Sequence, residues 1–181
     1  MSSQQIILLA AAAMLLFWTL GAYYRLVALR TGIGQVWAKV DEALRARAAA
    51  AEAMHAALQE PLAAEAGALD TWKAGRAEAA RAASALGSRP VMQDRAAAWV
   101  AAEAAQAAAA SRVFALLEQQ AALRVQDHVA QPALAWREAS KRLGFARQLF
   151  NETAAPYNEA IATFPTSLLV RVFRFEAAGH I

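Results

Sequence analysis

The sequence contains no cysteine, and in 181 residues it has only eight glycines and five prolines. Without cysteine, disulfide scaffolds, zinc ribbons and thiol nucleophiles are excluded in any redox compartment. Few turn-forming and few β-branched residues exclude a sheet protein, whose many strand connections need them. There is no glycine-rich phosphate loop and no nucleophile elbow. What is abundant is alanine, 52 residues in all. Alanine is the strongest helix former because it loses no rotamer entropy. The apolar fraction of 59% therefore overstates the core, since roughly half of it is alanine. The composition predicts an all-α protein with a thin bulky core. A core of that kind stabilises a lone bundle poorly, which is compatible with a homo-oligomer.

From Ile6 to Tyr24 the chain runs for nineteen residues without a charge. At about 1.5 Å per residue such a helix spans the ~30 Å hydrocarbon layer of a bilayer. A cleaved signal peptide is the alternative, but it calls for Lys or Arg ahead of the apolar run, and only Met-Ser-Ser-Gln-Gln precedes it here. The expected organisation is a short tail over 1–5, a membrane anchor over 6–24 that meets the lipid bilayer, and a helical bundle over 25–181. Trp18, Tyr23 and Tyr24 sit toward the far end of the run, where aromatic rings favour the interface, and Arg25 and Arg30 follow at once. By the positive-inside rule the N-terminus is outside and the bundle cytoplasmic.

Beyond the anchor, Leu26, Leu29, Ile33, Val36, Val40 and Leu44 recur at helical spacing, so the membrane helix is expected to continue unbroken. Pro61 is the first firm stop, and a second helix runs to about Leu86. Gly87-Ser88-Arg89-Pro90 combines a glycine suited to a helix end with a proline suited to a helix start, and the chain should reverse there. A long third helix is predicted from Val91 to about Val129, with a small-residue stretch between Ala96 and Ala110 that reads as an interhelical seam ahead of a weakly packed, solvent-facing helix. Pro132 is expected to open the last helix, where Trp136, Leu143, Phe150, Tyr157 and Phe164 recur every seven residues. Ala154, Ile161, Leu168 and Phe175 make a companion line. Pro156 should interrupt this helix and Pro165 should end it. The architecture predicted is an N-terminal transmembrane helix continuing into an elongated antiparallel bundle of three to four long helices.

Chemistry finds little support. Glu52 and His55 have the Glu-x-x-His spacing of di-metal bundles, but one copy is not a site, and His55 reads as a surface residue. Asp41 with Arg45, Glu78 with Arg81, and Glu138 with Lys141 or Arg142 read as ordinary surface pairs. The basic residues are scattered among acids, which argues against nucleic acid as a partner. One basic-aromatic cluster, Val170 to Phe175, is suited either to plugging the bundle end or to docking at the membrane interface, where Arg25, Arg30, Arg171 and Arg174 would sit at headgroup level.

Arg147, Phe150-Asn151, Tyr157-Asn158, Ile161 and Phe164-Pro165 fall in a single register that resembles the C-terminal signature of the LemA family. Tyr24, Leu26, Val27, Leu29, Arg30, Trp37, Val40, Asp41, Leu44 and Arg47 are similar to the same family's N-terminal segment. Departures are Arg25 for asparagine, Ala154 for valine, Pro156, and Ala-Ala-Ala-Glu-Ala-Met at 49–54 in place of Asp-Leu-Ile-Pro-Asn-Leu. The resemblance implies an anchored helical bundle of bacterial inner membranes, not an enzyme, with no cofactor and no metal. It implies a scaffold or adaptor whose partner is another membrane or envelope protein. A lipid-interacting protein that uses its basic-aromatic end is the rival.

Within the signature, Asn151 and Asn158 lie seven residues apart and so share a face. Their amides are expected to satisfy backbone groups freed by Pro156 and Pro165, or to bridge to the first helix near Asp41. Arg147, one turn earlier, is expected to pair with Asp41. Together with Tyr157, Phe164 and Pro165, these residues read as structural ahead of a partner-recognition patch.

Overall fold

The computed structural model describes residues 2–181, apart from the side chain of Arg171. A single helix, α1 (Ser3–Leu58), forms the spine, 56 residues long, or about 84 Å at 1.5 Å per residue. Ser2 and Gln5 close a reciprocal capping box at its start. Gly32 and Gly34 do not interrupt it, because the helix is packed on one side from Leu26 onward, with Ile33, Trp37 and Val40 buried. In the apolar stretch before that point no described residue is buried, and only its last turns, at Thr19, Ala22 and Tyr23, are partly covered.

Pro61 follows the helix end, and a short 3-10 turn, Ala63–Glu65, leads into α2 (Ala66–Ser88). The other elements are α3 (Gln93–Gln119), α4 (Ala121–Arg124), α5 (Asp127–Ala162) and α6 (Ser167–Phe173). No strand occurs among the described residues. Arg76 on α2 reaches Glu52 on α1, and Gly87 on α2 abuts Trp37, so α2 runs back along α1. Ala85 meets Arg95 and Gly75 meets Gln106, so α3 reverses again, as the break at 87–90 predicts. The most extensive helix packing joins α1 to α5 and α2 to α3.

Gly87 serves a different purpose from the one its position suggests. It lies inside the last turn of α2 and not beyond it. A Cβ there would stand 2.5 Å from Trp37 Nε1 and 3.2 Å from Cε2, so glycine is needed for close approach. The alanine-rich stretch of α3 buries Ala96, Trp99, Glu103, Gln106 and Ala110 and turns most of its remaining alanines outward. It is a seam on one face only.

Three boundaries differ from expectation. α3 stops at Gln119, and the chain breaks at Gln120 and again at Val125 and Gln126. None of these is Gly or Pro, so no local signal marks the break. α5 then opens at Asp127, and Pro132 is its sixth residue and not its first. Pro156 also lies within α5, which continues past it to Ala162. Pro156 is exposed, and burial of its neighbours Ala154 and Tyr157 holds the helix despite one missing donor. The heptad line holds for Leu143, Phe150 and Tyr157. It fails at Phe164, because Thr163 has ψ 133 and ends the helix, leaving Phe164 75% exposed.

Two cores result. One gathers Leu26, Ile33, Trp37, Trp99, Phe150 and Tyr157 at the end nearer the apolar N-terminus. The other gathers Met54, Leu58, Leu69, Trp72, Val113 and Leu117 at the far end.

Candidate functional site

The signature residues of α5 build a clamp. Asn158 Nδ2 donates to the Ala178 carbonyl at 2.9 Å, and its Oδ1 accepts from the Ala178 N–H at 2.8 Å. Asn151 repeats this with Ile181, at 2.7 Å and 2.9 Å. A carboxamide presents one donor and one acceptor side by side, so it matches the N–H and C=O of a single residue, as one strand does for the next. The spacing also fits. Seven residues of helix rise about 10.5 Å, and three residues of extended chain about 10 Å. Two asparagines two helical turns apart therefore meet residues 178 and 181 of a segment laid along the helix. Between them, the Tyr157 hydroxyl donates to the Glu176 carbonyl at 2.8 Å. Burial raises the Tyr157 pKa above its ordinary value, against a smaller opposing influence of Arg30, and keeps that donor protonated.

The captured segment bridges the bundle. Phe175, Ala178, Gly179 and Ile181 are buried, whereas Glu176 and His180 are exposed. A Cβ on Gly179 would lie 3.0 Å from the Cα of Gln93 and 3.2 Å from its carbonyl oxygen, and closer still to Ala96. The segment is thus pressed onto the first turn of α3. At its other end Phe175 stacks near Tyr23 of α1, with ring centroids 6.1 Å apart. Arg174, at φ 51, supplies the left-handed residue that turns α6 into this segment.

This arrangement corrects several expectations. Asn151 and Asn158 bind neither the groups freed by the prolines nor the first helix. Asp41 pairs with Arg45, four residues on, at 2.5 Å. Arg147 lies over the Trp99 ring, 5.3 Å from its centroid, so it fastens α5 to α3 by a cation–π contact and not α5 to α1 by an ion pair. Pro165 follows a cis peptide bond from Phe164, outside the helix. Arg25, Arg30 and Arg174 are exposed near the apolar end; the Arg171 side chain lies outside the described residues. The pairs Glu78–Arg81 and Glu138–Lys141 form on the surface as expected.

A second polar assembly lies in the seam of α1, α2 and α3. Arg47 donates to both oxygens of Glu103, at 2.7 and 2.8 Å, and to Gln106 at 3.2 Å. The side chains of Arg47 and Glu103 are 12% and 7% exposed, so this pair is largely desolvated. Arg76 donates to Glu52 at 3.1 Å and stacks over Trp72 at 5.0 Å. A recess of about 180 Å³ opens beside them, floored by alanines. Sequence reasoning missed Glu103 and Gln106, although they are the only polar residues between Ala96 and Ala110 and stand three apart on one helix face. That isolation was the available signal.

His55 is buried, contrary to the surface reading, and its Nε2 has no partner. It falls on the line Ala51, Met54, His55, Leu58 that faces the distal core. Burial first, then the nearby Arg76 charge, pushes its pKa below the ordinary value. Glu52 is engaged by Arg76, and no group of three or more potential metal-ligating side chains occurs among the described residues.

The fold and clamp define a class: an antiparallel helical bundle built on one long N-terminal helix and closed by a terminal segment held on side-chain amides. Comparison with protein-family models matches residues 36–180 to the LemA family, and the chain belongs to that family. The family is not a known enzyme family. No curated protein matches the chain.

Proposed function

We propose that the protein is a single-pass protein of the bacterial inner membrane whose bundle acts as a non-enzymatic scaffold or adaptor for another membrane or envelope protein. The observation that carries this reading is the unbroken helix α1. Its first third is apolar and unburied, with no joint before the part that forms the bundle spine. An anchor and bundle sharing one helix hold the bundle at a set distance and attitude from the bilayer, which suits positioning better than turnover. Arg25, Arg30 and Lys39 favour a cytoplasmic bundle with the N-terminus outside.

The test exploits the lack of cysteine. With Glu78→Cys as the sole thiol, a membrane-impermeant maleimide should label the chain only after spheroplasts are lysed. Labelling of intact spheroplasts would overturn the orientation. Crosslinking from the same thiol should recover a specific membrane or envelope protein; recovery of only lipids and bulk abundant proteins would overturn the adaptor role.

A further inference from the structure

Beside the last turns of the apolar run, α6 and the turn before it expose large apolar side chains: Phe164 is 75% exposed, Leu168 58%, Val172 72% and Phe173 45%. Their position along α1 is fixed by two contacts. Ala160 and Thr166 line a recess together with Trp18, Gly21 and Ala22, and Phe173 packs on Tyr23, with ring centroids 4.9 Å apart. Trp18 precedes Tyr24 by six residues, or about 9 Å of helix.

The length of the free helix then decides where this surface lies. From Ile6, where polar Ser2-Ser3-Gln4-Gln5 gives way to the apolar run, to Trp18 is about 18 Å, short of the ~30 Å hydrocarbon layer. If α1 spans the bilayer, the membrane must extend beyond Trp18 toward Tyr24, and so must cover what is packed beside those residues. We infer that the turn at Phe164-Pro165 and α6 form a second membrane contact, lying in the interface of the same leaflet, with Phe164, Leu168 and Val172 inserted at the boundary of headgroups and acyl chains. The stretch of α1 beside which α6 packs, about 9 Å from Trp18 to Tyr24, is comparable to the depth reached by interfacial helices, roughly 5–10 Å.

The charges agree with this placement. Arg25 follows the apolar run directly, and Arg30, Arg89 and Arg174 line a recess with Val91, Met92 and one acid, Glu176. Those arginines stand at or just above headgroup level, where anionic lipid is attracted. α6 has five apolar residues in seven, and among its described side chains the bundle buries Leu169 alone. Its environment therefore matches a bilayer interface better than water.

This inference rests on the anchor reading, and one experiment separates the two. The full-length chain, carrying a single cysteine at Met14, Phe145, Leu168 or Val172 and an environment-sensitive fluorophore on it, is reconstituted in vesicles of phosphatidylcholine with phosphatidylglycerol. Quenching is compared between lipids bearing a nitroxide high or low on the acyl chain. The Met14 label should be quenched by the deep nitroxide. The Leu168 and Val172 labels should be quenched chiefly by the shallow one, several-fold more than the label at Phe145, which is 74% exposed on the bundle. If Met14 is quenched while Leu168 and Val172 match Phe145, the second contact is wrong and the anchor stands. If Met14 is not quenched, both are wrong.

Discussion

The two halves of the bundle hold together by different means. Near the apolar end the core is aromatic: Trp37 packs edge-on against Trp99 and Phe150, at 5.8 and 6.0 Å, and the captured terminal segment seals it through five side-chain hydrogen bonds. At the far end the core is mainly aliphatic, and His55 Nε2, Trp72 Nε1 and Trp136 Nε1 are buried without a partner, against Trp99 Nε1 in the proximal core. A buried polar group left unpaired costs about 1–3 kcal/mol. The proximal half therefore has its terminal segment fixed by directional bonds from buried side chains, and the distal half has no such seal, its polar contacts being peripheral ones such as Arg76 with Glu52. The signature residues lie in the proximal half, which makes their spacing a device for fixing the terminal segment.

The largest expected effect is at the junction of the halves. Glu103→Ala leaves the Arg47 guanidinium buried without its carboxylate, and breaking a buried pair in this way costs about 3–5 kcal/mol. Denaturant unfolding of the full chain in detergent should show that loss, and replacing Glu103 with Gln should recover part of it. A loss under 1 kcal/mol would mean that water already screens the pair. Asn158→Ala comes next. It removes two hydrogen bonds at about 1 kcal/mol each, so amide exchange at Ala178 and Ile181 should accelerate while exchange at Met54 and Leu58 stays unchanged. Equal acceleration at both ends would erase the distinction between the halves. Gly87→Ala forces the Trp37 indole aside, and overpacking of this kind costs about 1–3 kcal/mol. The expected sign is a lower Tm with a shifted indole fluorescence; an unchanged Tm would show that Trp37 can yield.

The sequence allowed much of this to be read, but unevenly. The length of α1, the reversal at 87–90 and the inward line of Leu143, Phe150 and Tyr157 follow from periodicity, because packing enforces the same period that propensity allows. The junction of α3 and α5 was hidden because Gln120, Val125 and Gln126 carry no breaking residue, and the helix ends there for tertiary reasons. Pro132 and Pro156 misled in the opposite sense, since packing outweighs one absent hydrogen bond. The asparagine clamp was half visible. Two amides at seven-residue spacing on one face could be seen, but the segment they hold has no periodicity of its own, so its contacts exist only in three dimensions. Arg47 with Glu103 depends on residues 56 apart, a distance no local pattern spans.

The smallest effect expected is a pH dependence confined to the distal half. His55 faces Arg76, Glu52, Lys73 and Asp70, and its folded pKa lies below the ordinary 6.5, with burial the first cause. The unfolded chain then binds the proton more readily than the folded one, so stability rises with pH across this window. His55 contributes no penalty above about pH 6.5, and the distal core loses stability as pH falls from there toward the folded pKa. Thermal unfolding should show a lower Tm at mildly acidic pH, and His55→Gln should flatten that slope while His128 and His180 remain. Amide exchange localises the change: acid should loosen Met54, Leu58 and Leu62 before Phe150 and Tyr157. Simultaneous loosening at both ends would mean that the bundle opens as one unit and that the directional fixation of the proximal half does not isolate it from the distal core.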